Sequence, residues 1–116
     1  MPFPNSVMSF AQGVALSVGD NTFDPGVSPF AGQITPATLS VAVRVLSIVT
    51  GPVVVRLEYS ADNGATFGPG DPSQVMTALA AVGQAFKSFP LQFPRFRIVA
   101  NLTVGTATVN IVGYPT

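Results

Sequence analysis

Five carboxylates are the side chains of this sequence whose chemistry could support acid–base catalysis. The 116 residues include no histidine and no cysteine, so a general base or nucleophile would have to come from this small acidic set, namely Asp20, Asp24, Glu58, Asp62 and Asp71. Asp20, Asp24 and Asp71 each stand beside a glycine or a proline, which is typical of turns. We therefore predict a protein that is not an enzyme and has no catalytic residues.

Oxygen ligands for a metal ion are a second use of the same residues. Asp20, Asn21 and Asp24 could offer calcium a loop of carboxylate and amide oxygens, but the spacing of an EF-hand is absent. Their role as turn formers accounts for them without a metal. No glycine-rich phosphate-binding loop follows a predicted strand either. The sequence thus predicts no metal site and no cofactor.

A regularly spaced polar group occurs near the middle of the chain. Ser60, Asp62, Gly64 and Thr66 occupy every second position, and Phe67 follows directly. The hydroxyls and the carboxylate can bond nearby backbone groups, glycine can adopt a positive φ, and the phenylalanine is expected to plug the turn from below. This spacing resembles the Asp-box hairpin of sialidases and of many unrelated extracellular and viral β proteins. The resemblance implies a structural turn, because the same hairpin occurs on proteins with different activities.

The strands that lead to this turn are predicted to form a hairpin. In residues 37–50 and 53–59 apolar side chains recur at nearly every second position and form one apolar face, and a turn at residues 50–52 separates the two segments. If the two strands pair, Arg44 lies directly across from Glu58. We predict this ion pair as a marker of the register rather than as a large source of stability.

Two segments are expected to lack regular structure. Residues 1–6 contain two prolines and predict an extended N-terminal arm. Residues 19–36 contain many turn-forming residues and predict a long irregular loop, and loops of this length are often functional.

The remaining segments predict short strands. They comprise two short strands within residues 7–18, separated by a bend or bulge at Gln12 and Gly13, an edge strand or connection at residues 86–93, and strands at residues 96–102 and 107–112. Residues 73–86 are ambiguous, and we favour one strand over about residues 74–80, with a short helix as the alternative. Residues 1–116 are therefore predicted to form a single all-β domain, an antiparallel β-sandwich or jelly roll of about seven or eight strands.

Low charge is the most informative property of the composition. Charged residues make up 9% of the chain, against about 25% in typical soluble domains. So low a fraction of charged residues indicates that part of the protein surface is buried against other proteins. The alternative interpretation is a free surface made of uncharged Ser, Thr, Asn, Gln and Gly. The five basic residues form no run, and no apolar stretch reaches about 20 residues, so we expect neither a nucleic-acid nor a membrane partner.

Several sequence stretches together resemble a known class of protein. The runs LSVAVRV at residues 39–45, GPVVVRLEYSADNG at 51–64, PRFRI at 94–98 and TATVNI at 106–111 are similar to the strands of small virion proteins of tailed bacteriophages. The resemblance covers residues 37–116 and brings no catalytic residue with it. It implies a β-sandwich or jelly-roll subunit that decorates the capsid or builds a tail or neck part.

From this resemblance we expect a capsid decoration, or cement, protein on the capsid surface of a virion. Its partners would be the major capsid protein or other virion proteins and further copies of itself, with a trimer as one arrangement. A tail, neck or fibre component is the alternative within the same class. A carbohydrate- or host-surface-binding module is the alternative of another class, although the chain has no tryptophan and Tyr59 is expected to face the core. The phenylalanines are expected to be core plugs or interface anchors.

Overall fold

The structure is a computed structural model that describes residues 7–26, 36, 38–72 and 74–116. In this part of the chain eight strands form two four-stranded antiparallel sheets without a helix, so no described helix could cross a membrane. The strands are β1 (Met8–Leu16), β2 (Gly19–Phe23), β3 (Thr38–Thr50), β4 (Val53–Tyr59), β5 (Gly68–Pro69), β6 (Gly83–Pro90), β7 (Phe96–Leu102) and β8 (Gly105–Pro115). The predicted all-β antiparallel sandwich is confirmed.

The order of the strands is that of a jelly roll. Sheet A has the order β1-β8-β3-β6, and sheet B has the order β2-β7-β4-β5. Every connection between described strands crosses from one sheet to the other, except the one from β4 to β5. Neighbours within a sheet are therefore far apart in sequence, as in a double Greek key.

The core lies between the two sheets and is built from the period-2 alternation of their strands. Each of the long strands directs every second side chain inward, and the phenylalanines Phe89 and Phe96 add the largest fully buried side chains. The inward residues of the four central strands are Leu39, Val41, Val43, Val45, Val53, Val55, Leu57, Tyr59, Phe96, Ile98, Ala100, Leu102, Ala107, Val109 and Ile111. Tyr59 faces this core, as predicted.

The predicted hairpin of β3 with β4 is wrong. β3 pairs with β6 and β8 in sheet A, where Arg44 lies opposite Gln84 and Asn110, while β4 pairs with β5 and β7 in sheet B. Two strands whose apolar faces meet across a sandwich show the same alternation as two strands that pair side by side. The alternation therefore identified both strands but not their partners. Positive φ angles at Thr50 and Gly51 mark the corner between the sheets.

The start of the predicted 19–36 loop is a strand. Residues Gly19–Phe23 form β2 and pair with Leu102–Ile98 of β7. The side chain of Asn21 accepts a hydrogen bond from Ser17 N (2.9 Å) and donates one to Ser17 O (2.8 Å), so it fastens the turn between β1 and β2 from within the strand. Asn21 thus stabilises the β1–β2 turn from a position within β2, outside the turn itself. Residues 27–35 of the predicted loop and the predicted arm at residues 1–6 lie outside the described residues.

Two further segments differ in detail from the prediction. β1 is one strand rather than two, and its register shifts around Ala11 and Gly13, where Gly13 has φ +61°. The segment from Gln74 to Ala80 is neither a helix nor a continuous strand. It touches the edge of β4 through isolated bridges at Val75 and Leu79, and between them Met76 N donates to Val55 O (2.8 Å). β6 is an edge strand of sheet A, as expected for its region.

We expect Gly105→Ala to destabilise the fold by at least about 2 kcal/mol. Gly105 has φ +91°, and an added Cβ would collide with the Val49 carbonyl oxygen on the neighbouring strand. The free energy of unfolding, measured by urea denaturation, checks this expectation. Gly68→Ala is the control, because nothing lies within 4 Å of its added Cβ, and it should change stability by less than about 0.5 kcal/mol. Equal effects of the two substitutions would contradict the close approach of Gly105 to the Val49 carbonyl oxygen.

Candidate functional site

The turn after β4 closes on itself through side-chain hydrogen bonds. The hydroxyl of Ser60 donates to Asp62 Oδ1 (2.7 Å) and accepts from Gly64 N (2.7 Å). Asp62 also accepts bonds from Thr66, at Oδ1 from the backbone N–H (2.8 Å) and at Oδ2 from the hydroxyl (2.5 Å). Asn63 and Gly64 both have positive φ, which a glycine adopts without steric cost. The polar groups of the Asp-box residues are thus used mainly to hold one another.

The carboxylate of Asp62 is held in its charged form by these bonds. The Thr66 hydroxyl, the Thr66 backbone N–H and the Ser60 hydroxyl lower the pKa of Asp62 from 3.8 to about 2. A carboxylate with so low a pKa is a weak proton acceptor near neutral pH. Its environment therefore suits a structural acceptor and not a general base.

Phe67 packs against charge rather than beneath the turn as an apolar plug. Its half-buried ring lies 4.3 Å from the guanidinium carbon of Arg97 and 5.1 Å from that of Arg95. Both distances are within the range of cation–π contacts. Gly64 completes this packing, because a Cβ there would collide with the guanidinium of Arg95. The turn is thereby fixed to the outer side of sheet B.

Arg95 links the Asp-box turn to the segment that follows β2. Its buried guanidinium donates to both oxygens of Asp24, at 2.6 and 3.2 Å, and to Gly26 O (3.1 Å). The backbone carbonyl of Arg95 accepts from Ser60 N (3.0 Å). The bond from Arg95 lowers the pKa of Asp24 below its usual value. One residue therefore holds two segments that are distant in sequence.

The carboxylate of Glu58 bridges two other arginines on the outer face of sheet B. Arg97 Nη2 lies 2.7 Å from Glu58 Oε1, and Arg56 Nη2 lies 3.0 Å from Glu58 Oε2. The predicted pair of Glu58 with Arg44 does not form, because the two residues are in different sheets. The pattern of the sequence could not identify Arg97, since its pairing with Glu58 spans 39 residues.

Arg56 extends this network to β2. It lies 2.9 Å from Asp20, which also accepts a bond from Asn101 (2.8 Å), and both bonds lower the pKa of Asp20. The resulting sheet B network, Asp20, Asp24, Glu58, Arg56, Arg95 and Arg97, contains three of the five acidic and three of the five basic residues of the chain. Its three positive and three negative charges balance, and each is in an ion pair with another member of the network.

The three oxygen-bearing side chains considered for calcium do not converge. Asp20 bonds Arg56, Asp24 bonds Arg95, and the Asn21 amide bonds the backbone of the β1–β2 turn. Among the described residues, no group of three or more His, Cys, Asp or Glu side chains could hold a metal ion.

A shallow apolar groove lies on the opposite side of the molecule, on the outer face of sheet A. Val112, Ala42 and Phe86 form one cross-strand row of it, and the neighbouring row is Tyr114, Ser40 and Ser88. This sheet A groove has a volume of about 420 Å³, and Val7 also lines it. Phe86 is 72% exposed and Tyr114 is 39% exposed. Among the described lining residues Lys87 alone is charged, and its Nζ donates to Val75 O (3.0 Å).

The exposed position of Phe86 follows from strand geometry. Phe86 and Phe89 are three residues apart in β6, so their side chains point to opposite faces of sheet A. Phe89 is fully buried and Phe86 is directed outward. The sequence contained this information, but it becomes usable only when the segment is known to be a strand.

Comparison with known proteins finds no matching family model and no matching curated protein. The sheet B network and the sheet A groove are therefore compared as candidate sites by their geometry alone. The sheet B network is internally paired and supports the Asp-box turn. The sheet A groove is open, apolar and aromatic, which are the properties of a recognition surface. We take the sheet A groove as the candidate functional site.

We expect Ser60→Ala to lower the free energy of unfolding by about 1–2 kcal/mol. The substitution removes the acceptor of the Gly64 and Asp62 backbone N–H groups in a buried position. Urea denaturation measures the change. Ser9→Ala, which removes an exposed hydroxyl from β1, is the matched control and should alter stability by less than about 0.5 kcal/mol. An unchanged stability of the Ser60 variant would contradict the stabilising role of its hydroxyl.

We expect Thr66→Val to raise the pKa of Asp62 toward its usual value, because the Thr66 hydroxyl is the largest cause of the lowered pKa. The depressed pKa adds stability that is complete above pH 3.8 and is lost as the pH falls toward about 2. The variant should therefore show a smaller loss of stability across this interval. NMR titration of the Asp62 carboxyl carbon, combined with denaturation at each pH, measures both effects. An unchanged titration midpoint would disprove the role of the hydroxyl.

Proposed function

We propose that this chain is a non-enzymatic structural subunit of a virion, and that it is a capsid decoration protein of a tailed bacteriophage. It would sit on the capsid surface and bind the major capsid protein and neighbouring copies of itself. The observation that carries the proposal is the contrast between the two outer faces of the sandwich. One face holds a self-neutralised charge network, and the other offers an open apolar groove.

The two faces differ in the free energy that is needed to bury them against another protein. Sheet A contains two charged residues, Arg44 and Lys87, so a protein that covers this sheet removes apolar surface from water without breaking ion pairs. Interface cores are depleted in charge and enriched in aromatic residues, and Phe86 and Tyr114 fit that composition. Covering sheet B would instead require desolvation of the paired arginines.

The fold is consistent with this role but does not assign it. Jelly rolls occur in viral capsid proteins, in lectin domains and in other proteins, so the fold alone leaves several functions open. The resemblance of residues 37–116 to small phage virion proteins supports a virion role over a lectin-like role, and it applies to capsid subunits and to tail or neck subunits alike. A subunit that binds the assembled shell and not its free parts stabilises that shell by mass action.

A carbohydrate- or host-surface-binding module is the second candidate, and one feature of the groove favours it. Hydroxyl groups of Ser40 and Ser88 lie beside the exposed aromatic rings, and their oxygens are 2.8 Å apart. An aromatic ring flanked by hydroxyls is a combination that can hold a sugar. Saturable binding on a glycan array that Tyr114→Ala abolishes would favour this candidate. Electron microscopy of virions that carry labelled subunits distinguishes the capsid role from the tail, neck or fibre alternative. Label on the head would support the capsid role, and label on the tail or neck would support the alternative.

We expect virions that lack this subunit to release their DNA at a lower temperature than complete virions. Release is followed with a dye that fluoresces on binding DNA, and purified subunit is added back to depleted particles. Wild-type subunit should restore resistance, and Phe86→Ser should restore less because it removes an anchor from the sheet A groove. Phe93→Ser is the control, since Phe93 is also exposed but does not line the groove. Equal resistance of depleted and complete particles would disprove the cement role.

A further inference from the structure

The Asp-box turn contains a residue pair that is prone to a spontaneous reaction. Asn63 is followed directly by Gly64, and no other asparagine of the sequence precedes a glycine. In such a pair the glycine backbone nitrogen can attack the side-chain carbonyl of the asparagine, because glycine has no side chain to hinder the approach. Asn63 is exposed, so water can reach its amide group and complete the reaction.

The backbone of the turn favours this pair of residues at these positions. Asn63 has φ +58° and Gly64 has φ +94°, and asparagine and glycine are among the residues that adopt positive φ most readily. A Cβ at position 64 would in addition collide with the guanidinium of Arg95. The fold therefore selects two residues whose combination is chemically labile.

A hydrogen bond from the attacking nitrogen opposes the reaction. Gly64 N donates to the Ser60 hydroxyl (2.7 Å), so the nitrogen must give up this bond and its proton before it can attack. A relay of the proton through the hydroxyl would end on Asp62 Oδ1, to which the hydroxyl donates (2.7 Å). That carboxylate is a weak base, because its pKa is lowered to about 2. The bond to Ser60 thus protects the nitrogen without activating it.

We propose that Asn63 is a site of spontaneous deamidation in the folded protein, and that the Ser60 hydroxyl limits its rate by holding the Gly64 nitrogen. Gly64 N forms a bond to Asn63 Cγ, the Cγ–Nδ2 bond breaks, and ammonia leaves with the proton that Gly64 N loses. Water then opens the resulting succinimide at either carbonyl, which gives aspartate or isoaspartate at position 63. The inference does not depend on the proposed virion role.

The products change the turn in two ways. Both add a negative charge next to Asp62, and the isoaspartyl form also adds one carbon to the backbone between positions 63 and 64. Gly64 N then loses its place against the Ser60 hydroxyl, and Gly64 shifts relative to the guanidinium of Arg95 on which it packs. Because Arg95 also holds the segment that follows β2, deamidation loosens the contact between that segment and the Asp-box turn.

The test follows deamidation of the full chain by mass spectrometry during incubation in a mildly alkaline buffer. Tryptic cleavage after Arg56 and Lys87 yields a peptide in which Asn63 is the only asparagine, and its conversion raises the peptide mass by one unit. Folded protein is compared with protein denatured in guanidinium chloride, in which the turn is open. We expect conversion at Asn63 in both samples, and a severalfold lower rate in the folded protein.

Ser60→Ala tests the role of the hydroxyl. In the folded protein it should raise the rate roughly three- to tenfold, which is the factor that corresponds to one hydrogen bond, and the rate of the denatured chain should not change. Thr66→Val is the matched control, because it removes the hydroxyl bond from Thr66 to Asp62 and retains the bond from Gly64 N to Ser60. Its rate should rise less. Far-UV circular dichroism verifies that both variants are folded.

Four results would overturn the proposal. Folded protein that remains unmodified at Asn63 while the denatured chain converts would show that the folded turn is not a deamidation site. Equal rates in folded and denatured protein, or an unchanged folded rate in the Ser60→Ala variant, would show that the hydroxyl does not limit the reaction. A rate for Thr66→Val as high as that for Ser60→Ala would assign the protection to the turn as a whole.

Discussion

Burial of the apolar faces of β3, β4, β7 and β8 against one another is the interaction on which the rest of the structure depends. These strands are the two inner strands of each sheet, and their inward side chains are almost completely buried. Because side chains alternate along a strand, the same residues that fill the core fix which residues are left outside. The charge network and the groove both follow from this alternation of inward and outward side chains. Arg56, Glu58 and Arg97 alternate with core residues of sheet B, and Ala42, Phe86 and Val112 occupy the outward positions of sheet A.

Local features of the sequence were sufficient for some parts of this structure and not for others. The Asp-box turn could be predicted because Ser60, Asp62 and Thr66 interact over only a few residues, and turn chemistry of that kind depends on the sequence nearby. The alternation of β3 and β4 also identified two strands with a common apolar face. It could not separate a hairpin from two sheets in contact, because both arrangements bury the same side chains. The expected pair of Arg44 with Glu58 failed for that reason.

The two outer faces of the sandwich were harder to predict than the turn. Arg97 of β7 pairs with Glu58, and Arg95, which directly precedes β7, pairs with Asp24. Both pairs join residues that are distant in sequence, and no single-sequence pattern records such pairs. The groove likewise requires the order β8-β3-β6, which places Val112, Ala42 and Phe86 in one row. Composition did indicate the outcome in general terms. A chain with 9% charged residues that uses most of them in one network has little charge left for its other face.

The position of β8 has a consequence for how the chain is made. β8 is the last of the described strands, yet it lies between β1 and β3 and is hydrogen-bonded to both. While the ribosome is still adding residues 105–115, β1 has no neighbour in sheet A and one edge of β3 is unpaired. The strand pairing of sheet A is therefore completed only after nearly all of the described chain has left the ribosome. Until then the nascent chain has unpaired strand edges. Such topologies fold slowly because distant segments must meet first, and their exposed edges invite pairing with other chains.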